Sequence, residues 1–186
     1  MAQTVSNVST GKPGVSGGVY VADSGTSLPT SVSASLSSFT ALGYVSEDGL
    51  TNSNSPESDT GKAWGGDIVI TYQTEKPDTF QFTLIESKNV DVLEVIYGED
   101  NVSGTLSSGV AVSANADEAV EHAWVFDMIM RNDTYKRICV PAGKIIELGD
   151  IVYKDDELVG YDVTIQAFPD SSGNTHYEYI QEITVS

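Results

Sequence analysis

Two short stretches hold the residue types that hydrolytic and metal chemistry need. Residues 14–18 read GVSGG, a match to the G-x-S-x-G pattern of a nucleophile elbow with Ser16 as nucleophile. That elbow needs a strand before the serine and a helix after it. A leader rich in Gly and Ser offers neither, so Ser16 is read as a loop residue. His122 follows Asp117, Glu118 and Glu121, residue types that can ligate a metal. The acids are irregularly spaced ahead of a strand, with no second His or Cys nearby, so the stretch reads as a solvated acidic turn. His176 has no partner in its own neighbourhood.

Asp155, Asp156 and Glu157 are adjacent, whereas a calcium loop needs alternating oxygen ligands and a glycine at its sixth position. They read as a charged hairpin tip. Cys139 lies in the alternating stretch YKRICVP and reads as a buried, inert thiol. As the single cysteine it forms no intrachain disulfide. No phosphate-cradling glycine loop and no dinucleotide fingerprint is found. The chain has 27 acids, so carboxylate pairs abound, and nothing singles one out. The expectation is a protein that is not an enzyme, with no cofactor and no metal.

Charge narrows the partners. Nine Lys and Arg face 27 Asp and Glu, a formal charge of −18. Affinity for nucleic acid comes largely from cations that release phosphate counterions, so specific binding to DNA or RNA is not expected. Anionic membranes are disfavoured on the same ground. No charged segment followed by an apolar run opens the chain, and no apolar stretch approaches 18 residues. The chain is expected to be soluble and made in a cytoplasm.

The elements that would position any site are mostly strands. Residues 1–38 are poor in charge and rich in Ser, Thr and Gly, too polar to offset their own ordering entropy. They are expected to form a flexible arm (1–16) and a loop (24–38), with an edge strand in GGVYVAD (17–23). Residues 39–186 are expected to form one domain. FTALGYVSED (39–48) reads as a strand, and 46–66 as a long loop that holds Trp64. DIVITYQTE (67–75) is β-rich, and DTFQFTLIE (78–86) alternates strictly. The period then changes: 88–97 is expected to be a short helix, capped by Ser87 or Asn89 and stopped by Gly98. Residues 109–113 read as a weak strand. Strands follow in 121–133, 134–143, 144–170 with a hairpin at Lys154–Glu157, and 176–185. The fold class is mainly β: a β-sandwich or partly open barrel with one flanking α-helix, an extended N-terminal arm and a long inter-subunit loop.

Residues 43–102 resemble the major tail proteins, or tail tube proteins, of long-tailed bacteriophages. The resemblance is carried by GYVSEDG, KAWGGD, EKPDTFQFTLIE and NVDVLEVIYG, and more loosely by YDVTIQAFPD at 161–170. It implies a structural virion protein whose subunits form rings, usually hexameric, that stack into a tube through which DNA passes without specific binding. It implies partners: other copies of the chain, and tail proteins such as the tape-measure and terminator proteins. It also implies a place in the virion tail after assembly in the host cytoplasm. Within it, Asp48, Leu50, Asn52, Asn54, Pro56 and Trp64 of the long loop, with Val19 and Tyr20, are expected at inter-subunit contacts. Asp162, which alternates against the apolar Tyr161 and Val163, is expected to face the lumen. The alternative is a β-sandwich binding module, either a capsid decoration or a carbohydrate-binding tail accessory domain. Tyr177, Tyr179 and Trp64 would then form an aromatic platform.

Overall fold

The computed structural model describes residues 4–14 and 17–183. Ser16, the first three residues and the end of the expected last strand at 184–185 lie outside the described residues. The chain is mainly β, 48% strand against 8% helix. The strands are β1 (Lys12–Pro13), β2 (Val19–Asp23), β3 (Thr40–Ala41), β4 (Val45–Ser53), β5 (Glu57–Lys62), β6 (Ile68–Glu75) and β7 (Thr79–Leu84). The one α-helix among the described residues, α1, spans Val90–Tyr97. After it come β8 (Val102–Thr105), β9 (Gly109–Val112), β10 (Glu121–Ile129), β11 (Thr134–Leu148), β12 (Tyr161–Phe168) and β13 (Tyr177–Glu182).

Nine strands make one antiparallel sheet in the order β3-β2-β10-β11-β12-β7-β4, with β1 beside β10 and β13 beside β11. The separate strands expected at 134–143 and 144 onward are one 15-residue strand, β11. One flank of β11 pairs with β10; the other pairs first with β13 and then, from Ala142, with β12. Pro141, which has no N–H to give, falls where neither neighbour is in register.

The sheet curls over on itself. Phe80 of β7 stacks on Phe126 of β10 at 5.3 Å, and Phe82 meets Trp124 and Phe126 edge-on at 5.8 and 5.4 Å. Two strands separate β7 from β10 in the sheet, so these rings join its two halves face to face. The result is a sandwich-like core in an open sheet, not a closed barrel. The alternation of β12 is complete: Tyr161, Val163, Ile165 and Ala167 point inward, and Asp162, Thr164 and Gln166 outward.

Helix α1 begins two residues later than the spacing predicts. Asn89 caps it by accepting from the Asp91 N–H at 3.1 Å, and Gly98 ends it at φ +92°. Val92 and Leu93 bury its inner face, and Tyr97 meets Tyr161 edge-on.

The front of the chain departs from expectation. Val19 and Tyr20 are buried in β2, which pairs with β10 inside the main sheet, so the folded body begins well before residue 39. Residues 24–38 form no strand, yet they are pinned down. Leu28, Leu36 and Phe39 lie against Tyr20, Val125 and Cys139 on the outer side of β10 and β11. Arg137, only 4% exposed, grips Asp127 through both carboxylate oxygens at 2.6 and 2.7 Å. Its remaining donors reach the carbonyls of Ser31 and Ala34 at 3.0 and 2.8 Å. Burial opposes the charge on Arg137, but Asp127 outweighs it and the guanidinium titrates above its usual value.

Candidate functional site

The 46–66 stretch is not a structureless loop. It forms β4 and β5, which run antiparallel to β7 and β6 and make a single long ribbon. The lower half, β4 on β7, belongs to the body. The upper half, β5 on β6, leaves the body as an arm with its tip at 63–67. Its polar residues form a strand because β6 supplies the β-branched and aromatic propensity and the pairing partner. At about 3.3 Å per residue, six paired residues carry the tip roughly 20 Å outward.

The arm has no core. Every residue of β6 is exposed. Trp64 is fully exposed, and Ile68, Val69, Ile70 and Tyr72 are 62%, 67%, 57% and 48% exposed. Trp64 therefore does not pack at the base of its own strand. Gly61 faces Ile70 across the ribbon, and Ile70 Cγ2 lies 2.6 Å from where a Cβ on Gly61 would be. A glycine there lets the isoleucine lie flat across the partner strand. Several large apolar side chains exposed together on one ribbon mark an interaction site.

At the root of the arm the chemistry reverses. Asp78 is 1% exposed and accepts from Asn52 Nδ2 at 2.9 Å, Thr175 Oγ1 at 2.5 Å and His176 Nδ1 at 2.5 Å. The His176 ring stands edge-on to Phe80 at 5.4 Å. Burial raises the Asp78 carboxyl, but the hydrogen bonds from Thr175, His176 and Asn52, with the attraction of His176, hold it below its usual value. This network ties β4, the β6–β7 junction and the loop before β13 into one joint.

The outer side of the sheet has two unlike halves. Over β2, β10 and the first part of β11 it is clad by residues 24–38 and by Tyr177 and Tyr179. Over β12 and β7 it is polar and mostly half-buried, with cross-strand pairs Asp162–Thr83, Thr164–Gln81 and Gln166–Thr79. Thr51 and Ser53 of β4 extend it. Asp162 is the acid among those pairs; Gln81 Nε2 donates to its oxygens at 3.3 and 3.2 Å, and Thr83 Oγ1 to Oδ1 at 3.5 Å.

The residues expected at contacts separate accordingly. Trp64 stands at the arm tip, and Asn54 and Pro56 where the arm leaves the body. Leu50 packs against the core opposite Phe82, and Asn52 is engaged with Asp78. Asp48 sits at an irregularity in β4, where Ser46 Oγ donates to it at 3.3 Å. Val19 and Tyr20, expected at contacts, are buried within the subunit in β2 beside β10. The apolar run 68–72, outside that set, was readable as IVITY: three consecutive apolar residues do not suit a strand with one solvated face.

Other sequence candidates have ordinary surroundings. His122 is half-buried, edge-on to Trp124 and opposite Asp23, and burial pushes its imidazole below the usual value against the pull of Asp23 and Ala22. Glu118 pairs with Lys144. No group of three or more His, Cys, Asp or Glu able to hold a metal occurs among the described residues. The Cys139 thiol is buried and pushed up to about 12. Tyr177 donates to Asp170 Oδ2 at 2.6 Å and, with Tyr179, packs on the Cys139 cluster, so neither shares a platform with Trp64.

A family model described as phage tail tube protein matches residues 5–185. No curated protein matches the chain significantly.

Proposed function

The chain belongs to the phage tail tube protein family, a structural component of the virion tail, and from that premise we propose that its subunits join into rings, hexameric as in the resemblance, that stack into a tube for DNA. The observation that carries the reading is the arm: Trp64, Ile68, Val69, Ile70 and Tyr72 are exposed on a ribbon that its own body cannot cover. Each such side chain gains about 1.5–3 kcal/mol when fully buried. A second copy offers that burial, and a monomer does not.

The polar face of β7 and β12 suits a lumen wall. Its Thr and Gln side chains offer DNA no cation to hold, Lys144 beside Gln166 is engaged with Glu118, and Asp162 repels phosphate. The clad half would then face outward or toward a neighbour. Tape-measure and terminator proteins are the further partners, and assembly takes place in the host cytoplasm. The role is structural, not enzymatic.

The test removes the arm and keeps its root. Residues 58–74 are replaced by Asn-Gly, which joins Glu57 to its partner Glu75 through a two-residue turn. The variant is expected to stay folded and monomeric by circular dichroism and sedimentation, and to form no tubes in negative-stain microscopy where the intact chain does. Tubes of normal appearance from the shortened chain would overturn the reading.

A further inference from the structure

A groove of about 820 Å³ lies on the body between the start of α1 and the tip of the β8–β9 hairpin. Ile85, Val90 and Leu106 give it apolar walls, and Lys88, Thr105 and Ser107 its polar rim. We propose that this groove receives the arm tip of a second copy, Trp64 foremost, in a head-to-tail contact. The inference rests on the assembly reading above and names the surface that the arm would meet.

Placement is the first argument. The arm leaves the body just before β7, and the groove residues Ile85–Val90 follow just after it. The two therefore sit at opposite ends of a six-residue strand, about 20 Å apart. The arm points away from its own groove. A copy displaced along the ribbon axis brings tip and groove together, and a contact between two different patches repeats from copy to copy.

Charge is the second. On a chain of net −18, two copies repel unless they meet where the acid excess vanishes. At the tip, Lys62 and Asp67 cancel. In the groove, the Glu86 carboxylate accepts from the Tyr44 N–H at 3.0 Å and from Asn89 Nδ2 at 3.1 Å, while Lys88 is exposed and makes no ion pair among the described residues. Asp67 of the tip and Lys88 of the groove are complementary. Leu106, 66% exposed, presents an apolar side chain for an indole to cover.

The experiment uses Trp64→Asp and Leu106→Asp, both at exposed positions, in the full chain. Each alone is expected to raise the concentration needed for assembly by at least about tenfold, with circular dichroism unchanged. Mixed in equal amounts they are expected to regain association that stops at short oligomers, because one intact tip meets one intact groove. As a second measurement, Ala63→Cys with Ser107→Cys leaves Trp64 in place. A short bis-maleimide is expected to link this double variant between copies in assembled particles; Cys139 is buried and silent. Normal assembly by Leu106→Asp, a mixture that stays monomeric, or assembled particles without the 63–107 link would each overturn the groove while leaving the assembly reading intact. An unaltered chain that forms no higher-order particle would remove both.

Discussion

Strands β6 and β7 follow one another in the chain and are both rich in strand-forming residues, yet their surroundings are opposite. Phe80, Phe82 and Leu84 of β7 are 0%, 2% and 0% exposed, while Ile68, Val69 and Ile70 of β6 are 62%, 67% and 57% exposed. In β7 apolar and polar residues alternate, as one covered face requires. In β6 three apolar residues run together, a pattern for a strand covered on both faces. The subunit supplies the cover for the first and not for the second. Local strand propensity is thus satisfied in both strands, whereas apolar burial is satisfied within the subunit only in β7.

The contrast can be attacked from the body side first. Phe82→Ala removes a ring that touches Trp124 and Phe126, and is expected to lower monomer stability by about 3–5 kcal/mol in denaturant unfolding. A loss under about 1 kcal/mol would mean that the two halves of the sheet do not depend on these rings.

The joint between the regions is expected to give a smaller, pH-dependent effect. Asp78→Asn keeps the shape but leaves donors facing a weaker acceptor, with an expected cost of about 1–3 kcal/mol near neutral pH. The folded-state carboxyl titrates below its unfolded value, so its contribution is complete above about pH 4 and disappears as pH falls through the folded value. The difference between the two proteins should therefore shrink below about pH 4. A constant difference across acid titration would show that Asp78 acts through shape alone.

The smallest effect belongs to the arm. Ile70→Ser is expected to change monomer stability by no more than about 0.5 kcal/mol, since Ile70 is 57% exposed and only the partner strand at Gly61 lies beneath it. Its effect should appear instead in assembly, read by sedimentation. A large monomer effect would erase the distinction between the two strands.

Much of the body could be read in the residues. The period-two runs at 78–86 and 161–167 place β7 and β12 and their inward faces, and Asn89 and Gly98 bracket the helix because their capping chemistry is local. Three features were not legible. Polar β4 and β5 carry little propensity of their own, and their strand state comes from the partner strands β7 and β6. Residues 24–38 look like a loose loop because the leucines and phenylalanine that anchor them are scattered among serines. Arg137 matches Asp127 only once the β10–β11 register is known, so a buried ion pair hides among ordinary surface-type residues. The burial of Val19 and Tyr20 within the subunit was not legible, because an edge strand and an inner strand of five residues read alike.

The Asp78 joint has a mechanical consequence. It sits at the pivot of a lever about 20 Å long, so a swing of about ten degrees at the carboxylate shifts the far indole by roughly 3 Å. Clamping from three side chains on different segments limits that play. In a polymer joined through the arm as proposed, one buried acid at the root would bear on pitch and straightness from a distance.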